Sequence, residues 1–385
     1  MATVFKYPCT GNISLRGFGD YLESQIGEPR RNINLFAREL SSRFGPKYIT
    51  LTNSGSSANL VAALALAEKI TKKGKPLTAV ASGFTFPTTM SSLLMAGFKV
   101  RLLDVEPGGF NLDADLLEKE AETPSLIAVT HFLGFPAQMK KIQEYAKAHG
   151  CLVLQDACET IDLRDEEGRA YFEYGDTTTW SFYHPHHISS YGGGAVITKN
   201  IDDYALVDSI AHWGRACKCH IDSRLCNVPE GPAHQFTYIR PGVNVEMSEL
   251  NAAFGRWQLQ NWEEIERCRL RNYTILYGAL KGHPALQVWP LPAIGGSPFV
   301  FPIQLVNGMN IADAYRLLSA ESIEIRTLMG GATCQQEAFR DKTTHDNQSK
   351  AIAMADNTFF VGIHHTLSEE AVKSVANQIN ETFIR

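Results

Sequence analysis

The sequence predicts an α/β fold, a large and mostly parallel β-sheet covered by helices, followed by a small C-terminal α+β domain. Three observations carry that expectation. Apolar runs of strand length alternate with segments of helical period through about the first 200 residues, the rhythm of βαβ units. The runs are continuously apolar, as strands buried on both faces are. A long helical stretch over 250–276 then gives way to "GHPALQVWPLPAIGGSP", where the chain changes character.

In chain order, "PLTAVAS", "FKVRLLDV", "SLIAVTHFLG" and "CLVLQDA" read as buried strands, with helices expected over 86–96, 114–122 and 139–149. A domain boundary is expected near residue 270, giving a large domain over 1–270 and a small one over 271–385. In the latter, "FVFPIQL", "NIADAYRLLSAES", "IEIRTL" and the terminal "SEEAVKSVANQINETF" supply strands and helices. Composition narrows the function. With 385 residues, of which 44% are apolar, the chain can bury one large core and a smaller second one. A net charge of −5 without a Lys/Arg block argues against nucleic acid. No apolar leader opens the chain and no run approaches the roughly 18 apolar residues of a membrane span, so a soluble cytoplasmic protein is expected.

Two stretches point to a ligand. "LTNSGSSANLVAALALAEKI" reads as a strand end, a Gly/Ser turn and a helix start. Free amides and small hydroxyls converge there on the positive end of the helix dipole, a seat for phosphate; an ordinary helix cap has the same appearance. Asp156 in "VLQDACET" ends a buried strand, where open sheets bind ligands. It reads as a partner for a pyridinium N–H, or as a helix cap. Phe86 in "GFTFPTTM" is a candidate to lie flat on an aromatic ring, or a core residue.

Taken in order, "FARELSSRFGPKYITLTNSGSSANL", "TFPTT", "QDACET", "WSFY", "GGGAVIT" and "PGVNVEMSELNAAFG" resemble the DegT/DnrJ/StrS sugar aminotransferases over nearly the whole chain. The resemblance implies a fold type I pyridoxal phosphate enzyme, with a seven-stranded sheet sandwiched by helices. It implies that Gly55, Ser56, Ser57 and Ser181 hold the cofactor phosphate, that Phe86 stacks on the ring and that Asp156 pairs with the ring nitrogen. Glu159, in "QDACET", joins the cofactor site on the same ground. Asn244 is expected to reach the phosphate bound by a neighbouring subunit, which implies a homodimer with shared active sites.

In the family a Schiff-base lysine lies five residues after the serine matching Ser181, and here that position is His186, within "SFYHPHHISSYGGG". Imidazole cannot form an imine, so the cofactor is expected to be held noncovalently as pyridoxamine phosphate (PMP). A histidine can still move a proton at C4′. Lysine-to-histidine exchange resembles one branch, the NDP-4-keto-6-deoxyhexose 3-dehydratases. There the cofactor amine condenses with a keto sugar, a proton leaves C4′ and the 3-hydroxyl departs, with His186 or His187 as proton donor to it. Arg326, in "IRTLMGGATCQQEAF", is expected near the substrate. The chain departs from the family pattern at Tyr191 and Gly192, at Glu246 where a basic residue is usual, and in "GEPRRN" around Arg30.

Cysteines bear on the step after dehydration. Three of the eight, Cys217, Cys219 and Cys226, fall in C-x-C-x6-C, and Cys158 lies two residues past Asp156. Without a secretion signal, metal or core packing explains them better than disulfides. The set resembles the iron-sulfur subgroup of the 3-dehydratases, implying a 2Fe-2S cluster on Cys158, Cys217, Cys219 and Cys226 and electrons from a separate reductase. Zinc and free thiols are the alternatives, zinc lacking here its usual C-x2-C pairs. The expected function is therefore PMP-dependent 3-deoxygenation of a 4-keto sugar, with a nucleotide-linked substrate. Alternatives are a cluster-free dehydratase that releases ammonia and is recycled by glutamate, a sugar aminotransferase, and a noncatalytic regulatory homologue.

Overall fold

Twelve short strands build two sheets in the computed structural model, which describes residues 5–25, 27–292, 295–345 and 347–384. The first four residues, which begin the segment without an apolar leader, lie outside the described residues. The strands are β1 (Tyr48–Thr52), β2 (Thr78–Ser82), β3 (Lys99–Leu103), β4 (Leu126–Thr130), β5 (Leu152–Asp156), β6 (Thr177–Ser181) and β7 (Gly194–Thr198). They continue with β8 (Leu286–Val288), β9 (Phe301–Leu305), β10 (Arg326–Thr327), β11 (Thr343–His345) and β12 (Thr358–Val361).

The large sheet runs β1-β7-β6-β5-β4-β2-β3-β11. Neighbours from β6 to β11 are parallel, and β7 is antiparallel to both β1 and β6. The expected seven strands are joined by an eighth, β11, whose residues Thr-Thr-His carry no apolar signal. Alternate side chains explain the continuously apolar runs. Ala79, Ala81, Leu126 and Ala128 enter the core beneath the helices Gly55–Lys72 and Pro87–Met95, whereas Val80, Ile127, Val129 and Val153 pack under the helix Met139–His149. Both faces are covered, so each strand position must be apolar.

The smaller sheet is antiparallel, β10-β12-β9-β8. Its core joins Phe301, Ile303 and Phe359 to Tyr273, Leu276 and Leu280 of the helix Trp262–Leu280, and to Val372 and Ile379 of the helix Glu369–Ile384. Two expected helices differ in detail. The stretch 250–276 breaks at Gln260 and Asn261 into Glu249–Leu259 and Trp262–Leu280, because Trp262 turns inward to pack on Phe44 at 5.1 Å between ring centroids. Over 114–122 there is a 3₁₀ segment, Ala114–Lys119, capped by the Asp113 side chain. Among the described residues, no helix is long and apolar enough to cross a membrane.

Candidate cofactor site

The carboxyl ends of β5 and β6 and the start of the helix Gly55–Lys72 meet at one cavity of about 780 Å³. Asp156 closes β5 and is 2% exposed. Its Oδ2 accepts from Asn59 Nδ2 at 2.9 Å and from the Thr89 hydroxyl, and its Oδ1 accepts the Cys158 amide at 3.0 Å. Thr179 Oγ1 donates to Asn59 Oδ1 at 2.6 Å, which fixes the amide so that its NH₂ faces the carboxylate. A buried carboxylate supported in this way is positioned to pair with a protonated ring nitrogen.

The candidate phosphate seat is built by close approach. Ser54 caps the helix, its Oγ accepting the Ser57 amide at 3.0 Å, and the first amides, at Gly55 and Ser56, have no intrahelical acceptor. A Cβ at Gly55 would lie 2.7 Å from Ser181 Cβ and 2.9 Å from Cys158 Sγ, so only glycine lets β6 come this near the helix end. Across the loop, Gly193 has φ +145° and a Cβ there would meet Met247 and Ser190 at 2.5 Å. Phe86 sits at the cavity wall, 42% exposed, where a planar ligand would cover it.

Most of the expected site residues line this cavity: Gly55, Ser56, Phe86, Asp156, Glu159, Ser181, His186 and Arg326. Three do not. Ser57 spends its amide on the cap and its hydroxyl on Asn53 Oδ1 at 2.7 Å. His187 is buried with Nε2 on the Ser297 carbonyl at 2.8 Å, which turns its ring away from the cavity. Asn244 is exposed, bridged to His212. Residues that sequence reasoning missed include Asn59, Thr89 and Arg269; Asn59 stands out only as a polar residue four positions into an otherwise apolar helix.

His186 stacks on Phe299 with ring centroids 4.8 Å apart and planes at 23°, and its Nδ1 is buried without a hydrogen-bond partner. Burial, then the nearby Arg269 charge, pushes its pKa down to about 3, so the imidazole is neutral. Arg269 is 1% exposed and donates to the Phe299 carbonyl. Burial alone lowers its own pKa, to about 9. Burial raises Glu159 to about 8, against the Leu133 amide that its carboxylate accepts, with the Asp156 charge adding to the rise. Burial, then the charge of Asp156, holds the Cys158 thiol well above the usual range and therefore protonated. Arg326 stands at the cavity edge with its guanidinium on Glu324 at 2.8 Å. Two departures from the family pattern meet each other away from the cavity lining: Arg30 forms an ion pair with Glu246.

Of the expected four-cysteine set, three stand in one tight group with a histidine and the fourth stands outside that group. Cys217, Cys219 and Cys226 converge on His234, whereas Cys158 lines the cofactor cavity against Gly55 and Thr179. His234 lies eight residues after Cys226, a signal that counting cysteines alone overlooks.

A mostly parallel sheet with a helix-end phosphate seat and a buried aspartate at its carboxyl edge defines the fold type I pyridoxal phosphate enzymes. Residues 11–380 match the DegT/DnrJ/EryC1/StrS aminotransferase family, and the chain belongs to it. It is 30% identical to the dTDP-4-dehydro-2,6-dideoxy-D-glucose 3-dehydratase of Saccharopolyspora spinosa, over 91% of this chain and 80% of that protein. It is 29% identical to the lipopolysaccharide biosynthesis protein RfbH of Salmonella typhimurium, over 90% of this chain and 84% of that one. The fold superposes on E. coli GDP-4-keto-6-deoxy-D-mannose-3-dehydratase with bound hydrated PLP at a TM-score of 0.84 and 22% identity, covering 99% of this chain and 100% of that chain.

Proposed function

We propose that this protein is a PMP-dependent 3-dehydratase of a 4-keto sugar, with a nucleotide-linked substrate. The observation that carries the reading is His186 on the wall of the cavity that also carries Gly55, Ser56, Phe86, Asp156 and Ser181, at the position where the family has its lysine. Similarity to two kinds of sugar 3-dehydratase supports it. When bound, the cofactor supplies an amine for the ketone and a ring that accepts electrons. Asp156 holds the ring nitrogen protonated, Gly55, Ser56 and Ser181 bind the phosphate, and Phe86 covers the ring. His186 takes the proton at C4′ as a neutral imidazole and returns it to the departing 3-hydroxyl. A pKa near 3 makes a weak base, but it keeps the imidazole neutral and so able to accept a proton at the working pH. Asn244, exposed and outside its own cavity, fits the expectation of a homodimer that shares its sites.

Within one chain Cys158 stands outside the group that Cys217, Cys219 and Cys226 form with His234, and this reading takes the route that needs no electron delivery. With the cofactor bound, the amine it supplies would leave as ammonia after the 3-hydroxyl, and glutamate would restore it. The test has two arms. Borohydride reduction followed by mass spectrometry is expected to find no pyridoxyl group on any lysine; an adduct within the cavity would overturn the histidine argument. Turnover of an NDP-4-keto-6-deoxyhexose is expected with glutamate and no electron donor. Activity that requires a reductase would reject the hydrolytic route.

Arg326 belongs to the substrate rather than the cofactor. Arg326→Ala is expected to raise the substrate KM by roughly 10-fold or more, the worth of one charge-assisted hydrogen bond, with the cofactor spectrum unchanged. An unchanged KM would remove Arg326 from the substrate site.

A further inference from the structure

Cys217, Cys219, Cys226 and His234 form a second centre whose donors are all present in this chain. The three sulfurs lie 3.1, 3.3 and 3.5 Å from His234 Nε2, and all four donor atoms are within 4.8 Å of one another. His234 Nδ1 faces the Pro229 carbonyl at 3.1 Å. A carbonyl only accepts, so Nδ1 carries the proton and Nε2 presents its lone pair to the sulfurs. One lone pair satisfies one S–H donor, yet three thiols point at it. A cation that takes a lone pair from each of the four satisfies them all.

The size of the group selects the cation. Around one tetrahedral zinc, bonds of about 2.3 Å to sulfur and 2.0 Å to nitrogen place S···N edges near ~3.5 Å and S···S edges near ~3.8 Å. The observed S···N distances, 3.1 to 3.5 Å, and the 4.8 Å bound on every pair of donors are of the size of one such tetrahedron. In a two-iron cluster the ligands divide between two irons bridged by sulfides, so the two pairs stand further apart than any edge of a single tetrahedron. Cys158, the fourth ligand such a cluster would need, is on the wall of the cofactor cavity instead. His234 also supplies the fourth donor that C-x-C-x6-C lacks by itself.

A separate observation concerns the segment that carries these donors. No residue from 215 to 246 is buried, so this excursion has no apolar core of its own. Its ends are joined by Ala216 N to Thr237 O at 2.9 Å, and its middle by His220 Nε2 to the buried Asp208 at 2.7 Å. A metal cross-link between 217 and 234 supplies what packing does not.

We infer that Cys217, Cys219, Cys226 and His234 bind a single zinc ion in a closed, structural Cys₃His site that orders the loop preceding Asn244. This inference rests on its own donors and stands whether or not the dehydratase reading does. Metal analysis of the purified full chain is expected to give about one zinc per chain, and exchange with Co²⁺ the visible bands of a tetrahedral thiolate site. His234→Ala is expected to lose the metal and His234→Cys to keep it. The decisive variant is Cys158→Ser, which should retain about one zinc, because Cys158 is not among the four donors. About two irons with acid-labile sulfide per chain, lost in Cys158→Ser, would overturn the inference, as would metal-free protein after expression in zinc-supplemented medium.

Discussion

Replacing His186 by asparagine is expected to slow dehydration by about 10²–10⁴-fold, the usual worth of a general acid–base, while PMP still binds. Asparagine has similar size and cannot take up a proton, and the phosphate and ring contacts come from Gly55, Ser181 and Asp156, on other elements. The direct measurement is exchange of the C4′ protons of PMP in deuterated solvent, which should disappear with turnover. Exchange at the wild-type rate would move the proton transfer to another group. His187 is a poor replacement, since its Nε2 is committed to the Ser297 carbonyl.

The second large effect is acid lability. Burial lowers the pKa of His131 to about 4, of His364 to about 4 and of His187 well below its usual value, and all three are neutral in the folded chain. His131 makes this visible: Nδ1 accepts the Ala137 amide at 3.2 Å and Nε2 meets Gln155 Oε1 at 2.9 Å. In the unfolded chain each takes up a proton near pH 6.5. Their stabilisation is therefore complete above pH 6.5 and is lost as pH falls toward 4, by roughly 2 kcal/mol each for His131 and His364 at pH 5. His212 has the opposite sign. Burial opposes its charge, but hydrogen bonds to Asp208 and Glu246 raise it to about 9, so its contribution is full below pH 6.5 and fades as pH rises through 9. Urea midpoints are expected to fall steeply from pH 7 to pH 5. A flat profile over that interval would contradict the neutral buried imidazoles.

How far each feature is legible in the sequence depends on how it is encoded. Strands buried on both faces announce themselves as apolar runs, so β2 to β5 are readable. β11 is not, because Thr-Thr-His is held by its edge position beside β3 and carries no apolar pattern. The histidine at 186 is legible because its meaning lies in a fixed offset from Ser181. The metal set is only half legible: three cysteines close in sequence come together, but the fourth donor is chosen by the return of the loop, which brings His234 back where spacing suggests Cys158. Asn59, Thr89 and Arg269 belong to buried hydrogen-bond networks whose partners are dozens of residues away, and no local pattern marks them.

The eighth strand also constrains motion. Arg326 starts β10, paired to β12 in the small sheet, while β11, seventeen residues further on, is paired to β3 in the large one. The chain that carries the Arg326 side of the cavity is thus fastened at both ends, to two different sheets. Swinging the small sheet as a rigid body would stretch that connection or peel β11 from its edge. The chain then crosses back, from β11 through the helix Ser349–Asn357 into β12, so a cut in the backbone between 331 and 343 would release only one of two successive ties between the sheets and would remove no residue that lines the cavity.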